Sequence, residues 1–177
     1  LTKSKEALDA VQVSNENSNH TVTARPNGEV GSSDLANSGT IIKIYEGNDE
    51  LTYVSTLNYS AADENDWGSY MITATQSPSG VMNEPSISSE SNGIGAKVAD
   101  FTSMSTNEDR VVITYFIEGL RNTGQFFELS TTQTFTKAKE GVNGSTGSPA
   151  VIVTPSISSQ NISRTISTSP NTFDTVQ

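Results

Sequence analysis

Arg110-Val-Val-Ile-Thr-Tyr-Phe-Ile-Glu118, followed beyond Asn122-Thr-Gly124 by the run Gln125 to Lys137, is the stretch that decides the fold. Val111, Ile113, Tyr115 and Ile117 recur at every second position, the period of a strand with one dry and one wet face. Asn122-Thr123-Gly124 supplies the turn, so the two runs read as a long β-hairpin.

Working outward, the same alternation predicts strands over Asp9 to Ser14 and His20 to Ala24, with Pro26-Asn27-Gly28 as a turn. Thr40 to Tyr45 reads as a half-buried strand, Gly47-Asn48-Asp49 closes it, and Leu51 to Ser55 is expected to return as its hairpin partner. Trp67 to Thr75 carries the single tryptophan, and Gly93 to Ala99 adds a further strand. Seven or eight strands separated by turn signals predict an all-β chain folded as an Ig-like two-sheet β-sandwich, with very little helix. The cysteine pair of antibody domains is missing, and Trp67 against Val111 to Ile117 is the expected core centre.

The composition agrees. The chain has 177 residues, of which 33% are hydrophobic, and a mean hydropathy of −0.39, which suits thin β-layers better than a thick helical core. Ten basic residues against twenty acidic ones leave a net charge of −10. With no basic patch to neutralise a row of phosphates, nucleic acid is not an expected partner. No run of eighteen apolar residues occurs, so no membrane insertion is expected. The absence of cysteine excludes disulfides and thiolate metal sites.

Thr2-Lys3-Ser4-Lys5-Glu6 is repeated as Thr136-Lys137-Ala138-Lys139-Glu140, an offset of 134 residues (136 − 2), and Ala10-Val11-Gln12-Val13 is echoed by Ala150-Val151-Ile152-Val153. The expected organisation is the end of one repeat (1–6), a sandwich (7–140), a Gly-rich linker (141–149) and the first strands of a second module (150–177). Gly141, Gly144 and Gly147 have the triplet spacing of a collagen-like helix, but three triplets without proline filling suit a flexible Gly/Ser/Pro linker better.

Few residues suggest chemistry. His20 is the only histidine, no Gly-x-Ser-x-Gly elbow marks a serine nucleophile, and no enzyme is expected. Asp63, Glu64 and Asp66 crowd one loop. Ala62-Asp63-Glu64-Asn65-Asp66-Trp67 is loosely similar to the calcium-holding Asp-x-Asn-Asp run of cadherin repeats, which makes these acids a candidate calcium site and calcium the only candidate cofactor. Cadherins place that run at a domain junction whereas it lies mid-module here, and an ordinary acidic turn is the competing reading. Glu46, Asp49 and Glu50 form a second, sparser acidic group. Tyr53, Tyr59 and Trp67 are the candidate glycan contacts, since aromatic rings stack on sugars, although core packing competes for Trp67. Asn19, Asn58, Asn143 and Asn161 begin Asn-x-Ser/Thr triplets, which chance explains in a chain this rich in Asn, Ser and Thr.

Thr132-Gln-Thr-Phe-Thr-Lys-Ala-Lys-Glu-Gly-Val-Asn-Gly-Ser-Thr-Gly147 resembles the junction of many tailed-phage tail and tail-fibre proteins, where a strand ending in Phe-Ser/Thr-Lys-x-Lys leads into a Gly-x-y segment and another Ig-like module. Ile42-Lys43-Ile44-Tyr45-Glu46-Gly47 and Val111 to Gly119 are similar to strands of those modules. The resemblance implies a virion structural protein of the tail, tail fibre or tail tip, with Ig-like spacer or display modules. Its implied partners are other virion subunits, often in a homotrimer, and a bacterial surface receptor or glycan. It carries over no catalytic residue. The first junction departs from the pattern, with Glu6-Ala7 where glycine is expected. The alternative is a bacterial surface adhesin built from Ig-like repeats; a carbohydrate-active enzyme or its accessory domain ranks last.

Overall fold

A computed structural model describes residues 9–59, 64–142 and 144. The chain divides into two units, Leu1–Asn143 and Gly144–Gln177. The expected end of a preceding repeat (1–6) and the start of a second module (150–177) lie outside the described residues.

The first unit is an all-β two-sheet sandwich. Its strands are β1 (Val11–Asn15), β2 (Asn19–Ala24), β3 (Thr40–Glu46), β4 (Asp49–Glu50), β5 (Thr52–Tyr53), β6 (Ser69–Ser77), β7 (Ile87–Ser89), β8 (Ala96–Val98), β9 (Arg110–Leu120) and β10 (Phe126–Lys139). Sheet one runs β1-β3-β8-β7 with β4 paired to β3, and sheet two runs β2-β10-β9-β6-β5. The pairs β2/β10 and β5/β6 are parallel, and the other strand pairs are antiparallel. Helix among the described residues is confined to two 3-10 turns, Ser32–Leu35 and Glu64–Asp66.

The β9/β10 hairpin forms as its alternation predicts. Val111, Ile113, Tyr115 and Ile117 are fully buried, and Gly124 takes φ +76° in the turn, where its N–H bonds the Arg121 carbonyl at 2.8 Å. Two expectations need correction. The return after β3 is not one strand: Asp49 and Glu50 complete the hairpin, then the chain crosses to sheet two, where the Thr52 N–H bonds the Gly68 carbonyl and the Val54 N–H that of Tyr70, both at 2.8 Å. Leu51 and Tyr53 face the core on either side of that crossing, so burying both drives the switch. Trp67 is not the core centre. Gly68 (φ +73°) breaks the strand before it begins, and Trp67 sits half-buried outside β6.

The core centre belongs instead to tyrosines and phenylalanines. Phe101 and Phe135 meet edge to face at 5.0 Å, and Tyr53 meets Tyr70 at 5.9 Å. The Tyr70 hydroxyl, carried by sheet two, donates to the Ile42 carbonyl at 2.8 Å and accepts from the Ala96 N–H at 3.1 Å. Ile42 and Ala96 are register partners at one end of the β3/β8 pairing. A phenol from the opposite sheet thus stands between two backbone groups of a ladder. Tyr115 starts a second polar chain: it donates to Gln133 Oε1, the Gln133 side chain donates to the Ser38 carbonyl, and the Phe101 N–H donates to Ser38 Oγ, each at 2.8 Å. Burial pushes both phenols well above their ordinary pKa, so they remain hydrogen-bond donors.

The second copy of the repeated signature ends β10. Lys137 points inward, is 8% exposed and donates to the Ser105 carbonyl, and burial pulls its ammonium pKa down. Lys139 pairs with Asp109 at 2.8 Å, and the Glu140 N–H bonds the Ala24 carbonyl at 2.8 Å. Thr136 to Glu140 therefore fastens the last strand to β2 and to the loop before β9.

Tyr70→Phe keeps the ring and removes both hydroxyl bonds, leaving the Ala96 N–H buried without a partner. It is expected to cost about 1–3 kcal/mol, seen as a lower urea midpoint at unchanged m-value.

Candidate functional site

The acidic loop does not assemble a site among the described residues. Asp63 lies outside them, Glu64 is exposed, and Asp66 Oδ2 accepts the Asn58 N–H at 3.0 Å, fastening its own loop. The second acidic group is dispersed: Glu46 is buried against Arg121 (3.1 Å) and the Asn122 N–H (2.9 Å), Glu50 pairs with Lys43 (3.7 Å), and Asp49 faces water. Among the described residues no three His, Cys, Asp or Glu side chains come close enough to hold a metal ion.

Of the three aromatic candidates, only Tyr59 faces solvent. Tyr53 is buried on Tyr70. Trp67 lies over the β9/β10 turn, where a Cβ added to Gly124 would stand 2.6 Å from the indole. Tyr59 is 48% exposed, donates its hydroxyl to Glu118 Oε2, touches Met71 Sδ at 3.5 Å and packs edge to face on Phe126 at 5.7 Å. Phe126, 48% exposed, and Phe116, 43% exposed, complete an aromatic patch with it.

Sheet register explains the patch. The outer face of sheet two is built in cross-strand rows: Ser69–Leu120–Phe126, Met71–Glu118–Glu128, Thr73–Phe116–Ser130, Thr75–Thr114–Thr132 and Ser77–Val112–Thr134, with Arg110–Thr136–Thr21 beyond them at the far end. Most of this face is a table of short hydroxyl side chains. Two carboxylates stand opposite each other at one end, between two phenylalanines. The inner rows nearest the carboxylates, Tyr70–Gly119–Phe127 and Ile72–Ile117–Leu129, are largely apolar, and in the first Gly119 leaves space that the Phe127 ring occupies. Sequence reasoning did not single out Phe116 and Phe126; the signal it passed over was parity, since each is a large apolar residue on the wet side of a strand whose dry side is already complete.

His20 lies at the opposite end of the sandwich, half-buried beside Phe135 at 5.6 Å, in a cleft lined by Glu16, Asn17, Asn37, Thr40, Lys97 and Asp100. Asp100 is occupied there by the N–H groups of Asn37 (3.0 Å) and Gly39 (2.7 Å). Among the described residues His20 has no hydrogen bond to a hydroxyl or a carboxylate, so no nucleophile–base pair is present in this cleft. No family model matches the chain, and no curated protein or solved structure matches it significantly.

The hydrogen bond to Glu118, with burial and the Glu118 and Glu128 charges added to it, pushes the Tyr59 phenol up to about 12. The neutral phenol is thus favoured in the folded state, and the stability it lends is full below the ordinary tyrosine range and lost as pH rises through about 12. In Glu118→Gln the Tyr59 pKa should fall back toward 10, the ordinary tyrosine value, followed through its ring carbon resonance.

Proposed function

We propose that this chain is a structural part of a tailed-phage virion, a rigid Ig-like link in a tandem array of the tail or tail fibre. The observation that carries the reading is the place of the repeated signature. Thr136–Glu140 ends the strand that closes the sandwich, so a second copy 134 residues earlier suits the closing strand of a preceding module. The strand order supports the Ig-like assignment: β1-β3-β8-β7 against β6-β9-β10 follows the division of Ig constant-type domains into A-B-E-D and C-F-G sheets, with β2 added in parallel to β10. A sandwich whose interior is filled by side chains suits reach and stiffness, and the reading is non-enzymatic. Assembly with other virion subunits, as a homotrimer, comes from the resemblance of the Gly-x-y junction.

A second reading, a bacterial surface adhesin built of similar repeats, is favoured by the exposed patch of Tyr59, Phe116 and Phe126.

The test is labelling. Gold-tagged antibodies against residues 9–142 should decorate the tails of particles produced by the encoding genome, with light scattering giving three times the 18.8 kDa chain mass. Label on the walls of cells that release no particles would support the adhesin instead.

A further inference from the structure

We propose that the outer face of sheet two docks a protein partner through an arginine side chain, seated on Glu118 and Glu128 between Phe116 and Phe126. The inference holds for either the spacer or the adhesin reading, because it concerns only this face.

Glu118 and Glu128 are register partners on adjacent strands, which sets their Cβ atoms about 4.5–5.5 Å apart. Like charges placed so are destabilising in the free protein. Neither is relieved from within: among the described residues no Lys or Arg lies within ion-pair distance of either. No outward position in the rows from Ser69–Leu120–Phe126 to Ser77–Val112–Thr134 carries a basic residue. The Tyr59 hydroxyl satisfies one oxygen of Glu118 and leaves Glu128 to solvent.

The flanking rings favour a cation over a neutral occupant. Phe116 and Phe126 each lie two residues before one of the carboxylates, on opposite sides of the pair, and Tyr59 buttresses Phe126 from above. A planar guanidinium bonds two carboxylates through its fork and offers its face to an aromatic ring, which a compact ammonium does less well. Two shallow hollows that share Glu118, one toward Gly124 and one toward Ser130, leave room for backbone on both sides. Aromatic residues and arginine are the side chains that dominate interface energetics.

The test uses the full chain and a Gly-Arg-Gly-Arg-Gly peptide amide, with the citrulline version as the neutral isostere, followed by amide resonances at low salt. Shifts are expected to cluster at residues 116–118 and 126–128, and to need at least ten-fold more citrulline peptide. Glu118→Gln with Glu128→Gln should abolish the clustered shifts, whereas Asp49→Asn with Glu64→Gln should keep them. Shifts spread over the whole acidic surface, or persisting in the first double variant, would overturn the proposal. So would clustered shifts from cellotetraose with none from the arginine peptide, since the face would then be a glycan platform.

Discussion

One phenol oxygen ties the two layers together. The Tyr70 hydroxyl leaves sheet two, crosses the core and occupies the place where Ile42 and Ala96 of sheet one would otherwise meet each other. A sandwich held only by apolar contact could slide, because burial is non-directional. A bond of fixed geometry to two backbone atoms sets how β6 lies over β3 and β8. The Tyr115–Gln133–Ser38–Phe101 chain adds a second fixed point at the middle of β10. A chain without cysteine thereby obtains with hydroxyls and one amide the registration that a disulfide supplies elsewhere. Buried polar groups are costly when orphaned, and each oxygen and nitrogen in these two chains is partnered, so they restrain the layers without penalising them.

That registration reaches the surface. Once β6, β9 and β10 are fixed by their inward rows, the outward rows are fixed too, since consecutive side chains on a strand alternate faces. Glu118 faces Glu128 because Ile117 faces Leu129 and Gly119 faces Phe127. A one-residue slip would bury the acids and expose the core. The like-charge pair is therefore held in place by hydrophobic packing on the reverse side of the same strands, which is how a locally unfavourable arrangement persists on an exposed face.

Much of the architecture was legible in the sequence. Unbroken alternation from Val111 to Ile117 announced β9, a single turn of Asn122 to Gly124 announced its hairpin, and scarce apolar residues announced two thin layers. The crossing at Leu51 was not legible, because Leu51 and Tyr53 share a parity that reads as one strand; only the position of β6 reveals that they bridge two sheets. Strand β7 escaped notice since Ile87 is followed by Ser88 and Ser89, and its pairing is donated by β8. Trp67 misled through its size: a large ring suggested the core, while Gly68 beside it at φ +73° keeps it in the turn before β6. The candidate surface was partly legible. Tyr59 was singled out, whereas Tyr53 and Trp67 turned inward or onto the turn, and the opposition of Glu118 and Glu128 depends on a hairpin register that composition does not specify.

The two tyrosine-centred crossings behave as part of the core and not as surface decoration. Amide hydrogen exchange at Ala96 and Phe101 measures this most directly, because each N–H donates to a side-chain oxygen, Tyr70 Oη or Ser38 Oγ, and not to another strand. Both should exchange only through global opening, at the same free energy as the amide of Ile113 in the centre of β9. Exchange of either at the rate of an exposed loop would contradict it.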